Sequence, residues 1–121
     1  MDQKLDFMSV NKIECVEVKE DYAKCIVHVN EASMNYYGYV HGGLYFGLAD
    51  STAGYTASSR GDNYVTLNAN INYMSGIQTG MITCIGTVLS RTRKTCVVDI
   101  KIYDDNDVLC DTGTFTMYHI N

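Results

Sequence analysis

Apolar and polar residues alternate strictly across NYVTLNANINY (63–73). In an extended chain Val65, Leu67, Ala69, Ile71 and Tyr73 then share one side, and Thr66, Asn68, Asn70 and Asn72 the other. That period predicts a strand with one apolar and one polar face. Further strands are predicted at MITCIGTVLSR (81–91), KTCVVDIKIY (94–103) and VLCDTGTFTMYHI (108–120), with DDND (104–107) as a hairpin turn between the last two. Upstream, KIECVEVKE (12–20) and YAKCIVHVN (22–30) predict another pair joined near Glu20 and Asp21. The segment between differs in kind: Gly43 to Ser59 has apolar or small side chains on every face, which predicts one long helix. A helix apolar all round is buried, and Gly47, Ala49, Ala53, Gly54 and Ala57 would let sheet backbone approach it closely. Two strands, a helix and four strands predict an α+β domain whose antiparallel sheet covers that helix.

The helical segment carries one charge. From Leu44 to Ser59 only Asp50 is ionisable as an acid or base at neutral pH, and it lies near mid-helix, where it cannot cap the N-terminus. A carboxylate there costs several kcal/mol unless it is paired or hydrogen-bonded. It therefore reaches solvent at a helix edge, bonds a neighbouring strand, or serves as a general base or nucleophile whose surroundings raise its basicity. His41-Gly42-Gly43 stands where the helix begins, so the free N–H groups of the first turn and the positive end of the dipole face outward there. Glycine lets a ligand approach those amides, the arrangement that stabilises an oxygen becoming negative during reaction. His41 itself reads as a turn-capping side chain. No HxxxH, HExxH or CxxC spacing offers a metal site.

Composition narrows the class. The 121 residues, 46% apolar and 19% charged, suit a single globular domain spanning 1–121, without repeat or linker. A net charge of −5 argues against nucleic acid and anionic membrane as partners. The N-terminus MDQKLDFMSVNK has no apolar signal core, so the expected location is the cytoplasm. The five cysteines are odd in number, widely spaced and mostly within strand-like segments, as reduced core thiols would be.

Taken together, Asn35-x-x-Gly38-x-x-His41-Gly42-Gly43, then Leu48-Ala49-Asp50 and a small-residue helix, resembles the hotdog-fold acyl-CoA thioesterases of the phenylacetate-degradation (PaaI) type, from about residue 12 onward. The resemblance implies a curved antiparallel sheet wrapped around one long central helix. It implies Asp50 as base or nucleophile toward the thioester, the Gly42 amide as the group polarising its carbonyl, and Asn35 as a residue orienting carbonyl or water. Thr66 would orient the attacking water. It further implies no cofactor beyond the coenzyme A of the substrate, and a homodimer as the minimal active unit, commonly paired again into a tetramer. One departure is Tyr73-Met74-Ser75-Gly76, where relatives often place a proline.

Coenzyme A carries phosphates, and RTRK (91–94) gathers three of the nine basic residues at a predicted turn. Arg91, Arg93 and Lys94 are either phosphate ligands or a solvated turn; Arg60 is a further candidate. Tyr36, Tyr37, Tyr39, Phe46 and Tyr55 line an aromatic pocket or belong to the core. Two other functions share the fold: a non-catalytic acyl-CoA-binding module, and a hydratase or dehydratase. The HGG-x6-D spacing fits the thioesterase better.

Overall fold

The computed structural model describes residues 6–121; residues 1–5 of the expected domain lie outside the described residues. A helical turn, α1 (Phe7–Val10), precedes β1 (Glu14–Lys19) and β2 (Tyr22–His28). The long helix α2 (Gly42–Ala57) follows, then β3 (Tyr64–Tyr73), β4 (Met81–Arg91), β5 (Thr95–Tyr103) and β6 (Leu109–His119). Every element expected from the hydropathy pattern is present within a few residues of its expected bounds. The six strands form one antiparallel sheet in the order β1-β2-β4-β5-β6-β3, so α2 carries the chain from one side of the sheet to its far edge. This is the α+β hotdog architecture. No helix among the described residues is long and apolar enough to cross a membrane.

Alternation places the core. Ile82 and Cys84 of β4, Cys96, Val98, Ile100 and Ile102 of β5, and Phe115 and Met117 of β6 are buried against Leu48, Ala49, Ala53 and Ala57 of α2. Gly86 is the closest approach of β4 to the helix, since a Cβ there would overlap the Thr56 hydroxyl. Four cysteines are buried, Cys15 is half-buried and all five are free. Burial pushes the Cys25 thiol up to about 12, so it stays protonated and unreactive.

Two expectations fail, each for a physical reason. The alternation of β3 does not run through: the strand bulges between Thr66 and Asn68, so Thr66 stands opposite the buried Met117 while Ala69 stands opposite Phe115. One extra residue reverses the phase. Val65 and Leu67, expected on the apolar face with Ala69 and Ile71, are 47% and 61% exposed, and Thr66, although exposed, reaches Asp50 of the helix instead. Nor is α2 buried on every face. Leu44, Leu48, Thr52, Ala53 and Thr56 are covered by the sheet, whereas Phe46 and Tyr55 are exposed and Asp50, Ser51 and Gly54 half-buried. The sheet wraps most of the helix and leaves one stripe open.

Candidate active site

Asp50 lies on that open stripe. The bulge in β3 brings Thr66 to it, and the threonine hydroxyl donates to Asp50 Oδ1 at 2.5 Å, with Met117 Sδ behind it at 3.7 Å. Asp50 Oδ2 has no partner among the described residues. One oxygen of the carboxylate is thus held by a strand that is itself packed on β6, and the other faces outward. The lone pairs of the Thr66 hydroxyl remain open to a water proton.

His41 is the N-cap of α2, its Nδ1 accepting the Gly43 N–H at 2.7 Å, so the capping reading of this side chain holds. That bond requires the tautomer with the proton on Nε2. A Cβ on Gly43 would stand 3.0 Å from His41 Nδ1, a tight contact that glycine avoids. Gly42 is different. A Cβ there would meet only the Tyr73 ring, at an ordinary 3.6 Å, so packing within the chain does not demand glycine. Its N–H has no acceptor among the described residues, while its carbonyl accepts the Tyr73 hydroxyl at 3.2 Å. The Gly42–Gly43 peptide is thus held at both ends, by Tyr73 at its carbonyl and by His41 at its N–H, and the preceding Gly42 N–H is left free at the positive end of the helix.

Asn35 opens the loop that leads to this turn. Its Oδ1 accepts the N–H groups of Tyr37 and Tyr39 at 2.9 and 3.0 Å, which shapes the loop, and its amide nitrogen has no acceptor among the described residues. The loop is tied down by the pairing of Met34 with Val40 and by the His41 N–H donating to the Ser33 carbonyl at 2.8 Å. Asn35 and Gly42 therefore belong to one end of the helix, Asp50 and Thr66 to its middle.

These two half-sites do not converge within one chain. Eight residues of helix separate Gly42 from Asp50, about 12 Å of rise. The Gly42 N–H points along the axis away from the helix body, so an oxygen bonded to it lies on the far side from Asp50. No thioester carbon can meet both.

The basic candidates part company. Arg93 and Lys94 are exposed in the β4–β5 turn, and their side chains have no partner among the described residues. Arg91, expected beside them as a phosphate ligand, is the last residue of β4 and turns the other way. It donates to the Ala57 carbonyl at 3.0 Å, to the Tyr64 hydroxyl at 3.0 Å and to Asp21 Oδ1 at 2.9 Å, with its side chain only 16% exposed. Asp21 is shared with Arg60, which grips it through Nε and Nη2 at 2.9 and 2.6 Å. The Arg60 hydrogen bond, then that of Arg91, holds the Asp21 carboxyl below the usual range against the opposing effect of burial. Both arginines thus fasten the β1–β2 turn to the end of α2, which leaves neither guanidinium free. The five aromatics are neither core nor a shared pocket: Tyr36 and Tyr37 are 92% and 82% exposed, Tyr39 and Phe46 are also exposed, and only Tyr55 borders a groove.

Three features were missed by the sequence reading. The Tyr73 hydroxyl fixes the Gly42 peptide. Tyr64 is clamped by Arg91. On β6, Asp111 is fully buried opposite Tyr73 and Ile102 with neither oxygen partnered among the described residues, and burial pushes its carboxyl up to about 7. The last had a signal, because Asp111 falls in the same alternating phase as Phe115 and Met117.

Comparison with known proteins gives a consistent set. The thioesterase superfamily model matches residues 37–111. A 1,4-dihydroxy-2-naphthoyl-CoA hydrolase of Listeria monocytogenes is 32% identical over 100 residues, covering 80% of this chain and 81% of its own. A conserved protein of Pseudomonas aeruginosa superposes with a TM-score of 0.92 at 27% identity, over 97% of this chain and 95% of that one. A hypothetical thioesterase of Streptococcus pneumoniae, solved with coenzyme A, superposes at 0.86 with 31% identity, over 90% of this chain and 86% of that one. Two further structures of a hypothetical thioesterase from that strain carry alanine in place of an aspartate and of a threonine. Those two positions are sixteen residues apart, the separation of Asp50 and Thr66 here.

Proposed function

The chain belongs to the thioesterase superfamily and is a thioester hydrolase, and we propose that it hydrolyses acyl-CoA to free acid and coenzyme A, with Asp50 as general base. The observation that carries this reading is the Thr66–Asp50 hydrogen bond on the uncovered stripe of α2. It is supported by the equally spaced pair substituted in the pneumococcal structures and by the coenzyme A bound to that relative.

A water held between Asp50 Oδ2 and the Thr66 hydroxyl gives its proton to the carboxylate as its oxygen attacks the thioester carbon. The carbonyl oxygen becomes negative and is stabilised by a Gly42 N–H, with the free Asn35 amide beside it. The tetrahedral intermediate then breaks its C–S bond, and the thiolate of coenzyme A takes up the proton that Asp50 carried. Water and thioester have become acid and thiol, and the carboxylate is regenerated.

Because Gly42 and Asp50 of one chain cannot reach the same carbonyl, the Gly42 and Asn35 in this scheme come from a second copy. The active unit is a homodimer in which β3, an uncovered edge strand, lies beside its symmetry mate. A dimer of such dimers is compatible with the same sites. Arg93 and Lys94 meet the phosphates of coenzyme A in this reading, since Arg91 is already engaged by Asp21, Ala57 and Tyr64. The test is Asp50→Asn, read by release of free thiol from a panel of acyl-CoA thioesters. Turnover falls at least about a hundredfold, the usual effect of losing a general base, while acyl-CoA still binds. A folded variant with near-normal turnover would remove Asp50 from the mechanism, and retained binding with no turnover by the wild type would favour the non-catalytic module.

A further inference from the structure

Asp111 is the one buried residue with an ionisable acid or base among the polar residues of the interior, and its two oxygens have no partner among the described residues. It stands on β6 in a row that crosses the helix-facing side of the sheet as Cys84, Ile102, Asp111 and Tyr73, each directly opposite the next. The titratable groups near enough to interact with its charge are Tyr45 of α2, Tyr73 of β3, Cys84 of β4 and Cys110 of β6. On β5 its neighbour is the apolar Ile102, and Asp104, in the turn before β6, acts on Cys110. No lysine, arginine or histidine is in this set, so an ionised Asp111 has no cation to answer it. It has only water to turn to.

The way to water passes Tyr73. Of those neighbours Tyr73 alone is exposed, at the end of the edge strand β3, whereas Tyr45, Cys84, Ile102 and Cys110 are buried. The same side chain secures the start of α2. A Cβ on Gly42 would stand 3.6 Å from the Tyr73 ring, and the Tyr73 hydroxyl donates to the Gly42 carbonyl at 3.2 Å. Two glycines in succession leave the backbone there unusually free, so a side chain that ties this turn to the sheet limits that freedom. Beneath Tyr73 the backbone is fixed, since the Met74 and Ser75 N–H groups donate to the Cys110 carbonyl at 2.8 and 3.1 Å. A change at Asp111 is therefore taken up by the Tyr73 side chain.

Resting on the thioesterase reading above, we infer that Asp111 is a positioning residue acting through Tyr73. While the carboxyl is protonated, Tyr73 stays packed against the Gly42 turn and holds the oxyanion-binding N–H in place. When the carboxyl ionises, water reaches it past the displaced ring, the turn loosens, and turnover falls while substrate binding is unchanged. Burial pushes this carboxyl up to about 7, which puts the change within the working range of an enzyme.

The experiment measures kcat and KM at pH 6, 7 and 8.5 by loss of thioester absorbance from acetyl-, octanoyl- and benzoyl-CoA. The proteins are the wild type, Asp111→Asn, Asp111→Ala and Tyr73→Phe, each checked by circular dichroism to be folded at every pH. On the thioester it hydrolyses fastest, the wild type is expected to lose kcat at least about fivefold between pH 6 and 8.5 with KM unchanged, because a group titrating near 7 is almost wholly ionised by then. Both Asp111 variants stay within about twofold over the same range, since neither side chain ionises. Tyr73→Phe, which lacks the hydroxyl that holds Gly42, is slowed about fivefold already at pH 6 with KM unchanged. A wild-type kcat that does not fall, an equal fall in both Asp111 variants, a fall carried by KM, or a Tyr73→Phe enzyme as fast as wild type at pH 6 overturns the proposal and leaves the thioesterase reading intact. A wild type that hydrolyses none of the three thioesters overturns both.

Discussion

Replacing Asp111 with asparagine removes a charge that the fold does not answer. The carboxyl is 0% exposed, faces Tyr73 and Ile102 across the sheet, and has no hydrogen-bond partner among the described residues. Burial moves it from 3.8 to about 7. Below pH 3.8 it is protonated in both folded and unfolded chains. Between 3.8 and 7 the unfolded chain ionises first and binds fewer protons, so stability falls as pH rises. Above 7 the full loss remains, about 4 kcal/mol at 1.36 kcal/mol per pH unit between the two values. Asparagine never ionises, so the variant escapes this loss. About 3 kcal/mol of it develops between pH 5 and pH 8, near 10 °C in melting temperature for a chain of this length. The assay is thermal and urea unfolding of both proteins at pH 5, 6, 7 and 8, at one protein concentration because association also shifts the midpoint. Subtracting variant from wild type cancels the contributions the two proteins share, and the difference should widen steadily with pH in favour of asparagine. A difference that stays flat from pH 5 to 8 would falsify the picture of Asp111 as a buried, unpaired carboxyl.

Two other results are expected. Arg93→Ala and Lys94→Ala should each raise KM for acyl-CoA about two- to fivefold with little change in kcat, as exposed charge contacts do; an equal effect on an acyl-N-acetylcysteamine, which lacks the nucleotide, would remove them from phosphate binding. Asn35→Ala and Asp50→Asn, each nearly inactive alone, should regain roughly a quarter of wild-type sites when unfolded together and refolded, since half the dimers are mixed and each mixed dimer concentrates both lesions in one site. Mixed dimers captured through a tag but lacking activity would place Asn35 and Asp50 in the same site of one chain.

Much of this molecule is written in its sequence. Period-two alternation located the strands, because a half-covered sheet must place its apolar residues on one side. The small-residue run and the His41-Gly42-Gly43 turn located α2 and its start, because capping and helix packing are local matters. Asp50 stood out as the one carboxylate in an apolar helix, and the structure sets the Thr66 hydroxyl against it. What lay beyond the sequence depended on pairing across space. A bulge is a relation between two strands, and the one after Thr66 exists only against Met117 and Thr116 of β6; it turned Thr66 inward and Leu67 outward. Arg91 reads like its neighbours Arg93 and Lys94 until Asp21, seventy residues away, draws it under the helix end. The uncovered stripe of α2 was likewise invisible, since a run of small and apolar residues is the same text whether its last face meets a sheet, a substrate or another copy of the chain. Local chemistry decided where the helix begins and where its single charge lies, while tertiary pairing decided which side chains reach that charge.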